Sequence, residues 1–121
     1  MTFASWYEPS NRRGKLMRIS RYAGRGLKKS VHNWGVVPCL VPGWDLVTTY
    51  RSDKISWDQF SAEYLRGLEL RWDDVLDWLL SLKPDDDITL LCHEHEGELC
   101  HRQLVTKVVR KHQPDIPTLL H

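Results

Sequence analysis

The chain has 121 residues, enough for one hydrophobic core and too few for two. Its 41% hydrophobic and 27% charged residues make a globular composition and exclude a disordered or fibrous chain. The formal net charge of +1 hides an asymmetry: no acid stands between Pro9 and Trp44, whereas thirteen of the sixteen acids fall between Asp53 and Glu98.

The basic stretch carries Arg12, Arg13, Lys15, Arg18, Arg21, Arg25, Lys28 and Lys29, a surface suited to anionic small molecules or nucleic acid. Apolar runs such as residues 75–80 fall far short of a membrane span, so no membrane partner is expected. The opening Met-Thr-Phe-Ala-Ser-Trp-Tyr has no basic flank or apolar signal region. Three cysteines, an odd number, argue against a disulfide framework; reduced thiols and a cytoplasmic location are the expectation.

Residues 3–7, aromatic and followed by Pro9-Ser10-Asn11, suit a first strand ending in a turn. Residues 16–20 form a second apolar run bounded by Gly14 and Gly24. Residues 23–52, rich in Gly, Pro, Trp and Lys, read as a long irregular segment, a type of loop that is often functional. Ser56 with Gln59 makes a capping box, and Ile55 with Phe60 a hydrophobic staple, for a helix that places Phe60, Tyr64 and Leu68 on one face. A second helix starts near Asp73-Asp74, buries Val75, Leu76, Leu79 and Leu80, and stops before Pro84. Residues 88–92 are a short apolar strand, residues 98–112 a last helix and residues 116–119 an edge strand. Strands separated by helices predict a three-layer α/β fold: a small, mostly parallel sheet with helices on its faces.

The concentrated chemistry lies in residues 92–102, Cys-His-Glu-His-Glu-Gly-Glu-Leu-Cys-His-Arg, running from strand through loop into helix. In an open α/β sheet ligands bind outside the carboxyl ends of strands, where this loop falls. Cys92 would end the strand, and Cys100, His101 and Arg102 would occupy a first helical turn rich in free N–H groups. Helical spacing puts Cys100, His101, Leu104, Val105, Val108 and His112 toward the sheet and turns Arg102 away, to meet an anion bidentately. The ordinary structural alternative makes His101 a buried histidine tying helix to loop, and Cys92 and Cys100 small buried hydrophobes.

Three chemistries compete with that alternative. Cys92 and Cys100 with His93, His95 or His101 offer zinc ligands, but the spacing matches no compact zinc signature, and neither a metal nor another cofactor is assigned. Cys100, at a helix N-terminus beside His101 and Arg102, suits a nucleophilic or redox thiol. Glu94 suits a general acid or base, with His101 sharing the proton handling. Ser20 and Arg21, ahead of a Gly24-Arg-Gly26 loop, add a weaker phosphate-binding element without a dinucleotide fingerprint or P-loop. Trp34, Trp44 and Trp57 either stack on bases or cover the core.

The run Leu90-Leu91-Cys92-His93-Glu94, followed by Gly97 and Cys100-His101-Arg102, resembles the signature of domain-of-unknown-function family 488. That signature is an apolar strand ending Leu-Leu-Cys-x-Glu, a short loop, and Cys-His-Arg opening a helix. Residues 3–7 and 17–21 resemble the family's first two strands, and residues 45–50 and 60–64 its middle segment. The resemblance implies a compact three-layer α/β fold in the cytoplasm and no established reaction. Cys92, Glu94, Cys100, His101 and Arg102 match the motif positions, as do Ser20 and Arg21; the histidines at 93 and 95 around the motif glutamate are this chain's own additions.

The leading expectation is a small α/β protein binding an anionic or phosphate-bearing ligand, such as a nucleotide or nucleic-acid component. Cys92, Arg102, Ser20 and Arg21 would bind it, with Glu94, Cys100 and His101 as the catalytic set. The alternatives are a nucleic-acid-binding module built on residues 12–29 and a regulatory or structural protein without catalysis.

Overall fold

Five short strands form one sheet: β1 (Thr2–Ser5), β2 (Lys15–Arg18), β3 (Gly35–Val36), β4 (Ile88–Cys92) and β5 (Leu119–Leu120). Their order is β3-β2-β4-β1-β5, and every pair is parallel. The computed structural model describes residues 1–22, 33–94 and 97–121. Parallel strands need crossovers, and among the described residues four helices occupy the connections: α1 (Trp44–Arg51), α2 (Trp57–Leu70), α3 (Trp72–Ser81) and α4 (His101–His112). The result is the small three-layer α/β fold that the alternation of strands and helices predicts.

β4 sits at the centre because four of its five residues, Thr89, Leu90, Leu91 and Cys92, are buried, covering both sheet faces. Successive strand side chains point to opposite faces, and the core divides accordingly. Phe3 and Leu90 join a large cluster with Phe60, Tyr64, Leu68, Val75, Leu79, Val105 and Val109. Ala4 and Leu91 join a smaller one with Trp6, against which Tyr7, Leu16 and Trp34 pack. A glycine is required where β2 begins: Gly14 has φ +60°, and a Cβ there would fall 2.0 Å from the Asp87 carbonyl oxygen.

α2 begins as the sequence predicts. Gln59 N–H donates to Ser56 Oγ (3.1 Å) and Ser56 N–H donates to Gln59 Oε1 (2.8 Å), while Ile55 and Phe60 both pack in the large cluster. α3 has the expected acidic first turn, Asp73 and Asp74. Its buried stripe is narrower than predicted: Val75 and Leu79 are buried, but Leu76 is 36% and Leu80 66% exposed. Trp72 and Trp78, partly buried against the same cluster, supply the rest of the packing of α3.

Two predicted features change. The segment read as irregular contains β3, a 3₁₀ turn at Pro38–Leu40 and all of α1; α1 opens at Gly43 without a side-chain cap, so no capping signature announced it. The last helix starts at His101, with Cys100 as its cap residue, and the edge strand is Leu119–Leu120. No helix among the described residues is long and apolar enough to cross a membrane.

Candidate functional site

The carboxyl ends of β2 and β4 open onto a narrow cleft with about 20 Å³ of free volume, walled by the loops after both strands, by α1 and by the start of α4. Ser20, Arg21, Tyr50, Arg51, His93, Glu94, Cys100 and His101 all line it. Five of the seven site residues read from the sequence therefore face one cavity: Ser20, Arg21, Glu94, Cys100 and His101.

The strand ends hold their part of the site by main-chain bonds. Trp6 N–H donates to the Cys92 carbonyl (2.9 Å) and Ile19 N–H to the Leu91 carbonyl (3.1 Å). Trp6 Nε1 donates to Ser20 Oγ (3.0 Å), and that hydroxyl donates on to the Tyr22 carbonyl (2.5 Å). Arg18 donates to the carbonyls of Ser20 and Arg21, both at 2.6 Å, and lies over the Trp34 ring. Its charge is spent shaping the loop, while Arg21 is exposed.

Behind the cleft, Cys92 at the end of β4 is joined to Cys100 at the start of α4 by a disulfide, and Cys39 is free. The expectation of three reduced thiols fails here. An odd count excludes complete pairing, yet it leaves room for one bridge between residues that the strand–loop–helix turn brings together. His101 is buried against this pair, with Nδ1 3.4 Å from Cys92 Sγ and 3.6 Å from Cys100 Sγ. Its Nε2 lies 2.7 Å from the Ile19 carbonyl oxygen. A carbonyl only accepts, so Nε2 carries the proton and Nδ1 is the unprotonated ring nitrogen, with Cys92 Sγ also 3.8 Å from Nε2. Burial, and then the nearby Arg102 charge, depress the His101 pKa to about 4, against an Ile19 bond that raises it. The neutral ring packs against Tyr64 at 5.1 Å between centroids, and the Tyr64 hydroxyl donates to the Leu40 carbonyl (2.6 Å).

Arg102 does not point away from the sheet as helical spacing predicts. It is fully buried, donating from Nη1 to the Glu94 carbonyl (2.8 Å) and from Nε to the main-chain oxygen of His121 (3.2 Å). A planar guanidinium with several fixed donors can tie two passing segments at once. Here it clamps the 92–102 loop to the last strand, and it does not line the cleft. Cys92 is likewise buried behind the wall.

Sequence reasoning missed Arg51, in the last turn of the unannounced helix α1. Its Nη2 lies 3.7 Å from Glu94 Oε1, a half-exposed pair across the cleft mouth. Burial, then the Glu94 charge, push the neighbouring Tyr50 hydroxyl up from its ordinary value. Tyr7 Oη lies 3.4 Å from His93 Nε2, which fixes the His93 ring at the rim. The predicted Gly24-Arg-Gly26 element, His95 and Glu96 lie outside the described residues. Trp34 packs edge-on against Trp6 and Trp57 stacks on Phe60, so both serve as cover for the core, while Trp44 is exposed.

The fold and site together define a parallel α/β domain with a cleft at its strand ends, the position at which such sheets hold ligands. The chain belongs to domain-of-unknown-function family 488: a family model described as the active DUF488-N3 subclade matches residues 2–113. No curated protein and no solved structure matches it.

Proposed function

We propose that the protein binds an anionic, phosphate-bearing ligand, a nucleotide or nucleic-acid component, in the cleft at the ends of β2 and β4. The observation that carries this reading is that two guanidiniums line the cleft wall: Arg21, exposed on the β2 side, and Arg51, which holds Glu94 at 3.7 Å while the mouth adds Asp53 and Glu98. Arginine presents planar paired donors that match phosphate and carboxylate, and Ser20, its hydroxyl held between Trp6 and the Tyr22 carbonyl, fixes the loop that carries Arg21. Arg102 and Cys92 then act from behind, holding the loop and strand end that shape the cavity. Within this reading Glu94 is the proton-handling group facing the ligand, and Cys100 becomes a nucleophile once the disulfide is reduced, with His101 beside it.

The location we propose is the cytoplasm, where a disulfide is typically transient and either catalytic or redox-sensing. A nucleic-acid-binding surface on the basic segment gains less support. Arg12 donates to the Trp6 carbonyl and Arg18 to two carbonyls, so both are engaged within the fold.

Thermal shifts against inorganic phosphate, nucleoside phosphates and short oligonucleotides test the reading. A ligand at a hundredfold excess over its Kd raises stability by about 2.7 kcal/mol. The expected result is stabilisation by phosphate-bearing compounds that disappears in an Arg21→Ala, Arg51→Ala double variant of unchanged intrinsic stability. Stabilisation that survives the double variant overturns it.

A further inference from the structure

The buried trio behind the cleft has a geometry that anion binding does not use. Cys92, Cys100 and His101 are each buried, and their ligand-type atoms all lie within 4.8 Å of one another. We propose that, with the disulfide reduced, Cys92, Cys100 and His101 form a binding site for a thiophilic divalent cation, zinc above all, which re-formation of the disulfide empties.

Ligand spacing supports the assignment. A tetrahedral zinc with Zn–S of about 2.3 Å and Zn–N of about 2.0–2.1 Å places its sulfur and nitrogen ligands roughly 3.5 Å apart. His101 Nδ1 stands 3.4 Å from one sulfur and 3.6 Å from the other. The Cα atoms of Cys92 and Cys100 are 7.3 Å apart, beyond the roughly 4.4–6.8 Å that disulfides usually span and ample for two thiolates converging on one ion.

The second shell is already in place. A metal-bound histidine characteristically donates its other ring N–H to a carbonyl or carboxylate, which fixes tautomer and orientation. The Ile19 carbonyl does this for His101 at 2.7 Å, leaving Nδ1 unprotonated beside the sulfurs, and a small rotation of the ring, over whose face Cys92 Sγ now sits, would turn its lone pair to a shared ion. Charge balances too. Two thiolates and a neutral imidazole around a divalent cation sum to zero, whereas two buried thiolates alone would carry a large desolvation cost.

Three protein ligands leave one position of a tetrahedron. Cys100 and His101 line the cleft, and Glu94 Oε2 lies 3.6 Å from Cys92 Sγ. The fourth position is therefore within reach of Glu94 or of a small molecule entering the cleft, an arrangement of the kind zinc uses when it keeps an open site. No compact spacing in the sequence announced this trio, because the ligands converge through the strand–loop–helix turn.

The exchange balances. A dithiol or phosphine reductant supplies two electrons to the Cys92–Cys100 bond, and two protons from solvent complete the two thiols. The cation then displaces both protons. An oxidant such as diamide withdraws two electrons from the sulfurs, re-forms the S–S bond, releases the cation and is itself reduced.

The test uses the full chain and cobalt(II) as the spectroscopic probe. Reduced, metal-free protein titrated anaerobically should develop thiolate-to-cobalt charge-transfer bands and intense tetrahedral d–d bands, saturating at one ion per chain. Zinc should bleach them, and diamide should abolish them. Cys39→Ser should retain the bands, while Cys100→Ser and His101→Gln should weaken cobalt binding at least about tenfold. Reduced wild-type protein, with its thiols confirmed by titration, that shows no charge-transfer bands overturns the proposal without relying on any variant's folding. So do bands that persist after oxidation or vanish in Cys39→Ser. The readout is independent of phosphate binding, so failure of the anion reading and failure of this one are distinguishable.

Discussion

The α2–α3 face and the strand-end site are built by different means. α2 and α3 are assembled from local rules: a capping box at Ser56–Gln59, acidic first turns, and buried stripes at Phe60, Tyr64 and Leu68 and at Val75 and Leu79. The site is assembled from contacts remote in sequence, with Ile19 bonded to His101 and Arg102 to His121. The first region owes its stability to apolar area. The second holds polar groups in a buried setting, where each must be partnered to be tolerated.

Four substitutions or conditions probe that contrast. The largest effect belongs to the apolar face: Phe60→Ala, which empties a fully packed ring position between Tyr50, Trp57 and Tyr64, should cost about 3–5 kcal/mol in chemical denaturation. On the polar side, Arg102→Ala removes a buried side chain and leaves the Glu94 carbonyl and the His121 oxygen without their donor. A loss of about 2–4 kcal/mol is expected, and Arg102→Lys should recover only part of it, because one ammonium cannot reproduce the two-armed clamp. A loss below about 1 kcal/mol would show that the clamp is dispensable and the contrast overdrawn.

The third probe is pH. His101 has a folded-state pKa near 4, depressed from 6.5 by burial. Below pH 6.5 the unfolded chain therefore binds a proton that the folded chain refuses. This contribution to stability is complete above about pH 6.5 and is lost as pH falls toward 4, by about 2–3 kcal/mol. Comparing the pH dependence of denaturation midpoints in wild-type and His101→Gln protein isolates it. Equal slopes between pH 4 and 6.5 would remove His101 as the cause. The smallest effect is Ser56→Ala, worth about 1 kcal/mol through the lost cap, seen as a small drop in melting temperature with the site intact.

The same contrast governs what was legible in the sequence. β4 was readable to the residue, because a five-residue run with four apolar side chains after Asp85-Asp86-Asp87 leaves little choice. The α2 cap was readable because both partners lie within four residues. α1 was hidden by its weak opening at Gly43 and by the prolines at 38 and 42. Arg51 was lost with it. The motif residues 92–102 were found, but their roles depend on what stands opposite them. Arg102 looks outward by helical spacing, yet β5 and the 92–102 loop close over it. Cys92 and Cys100 are eight residues apart, and only the turn between strand and helix reveals that they touch.

The strand order has a consequence for how the molecule comes into being. β1 and β2, both within the first eighteen residues, do not pair with each other; each pairs with β4, which lies between them. The two earliest strands thus wait for residues 88–92 before the sheet has a centre, a topology of long loop closures that slows folding and delays it during synthesis. A chain emerging from the ribosome must hold Phe3 and Ala4 unpaired until then, since both partners of β1 come later in the chain, a natural point for chaperone protection. The strand that ends the wait terminates in Cys92, so the centre of the sheet and the first residue of the motif segment arrive together.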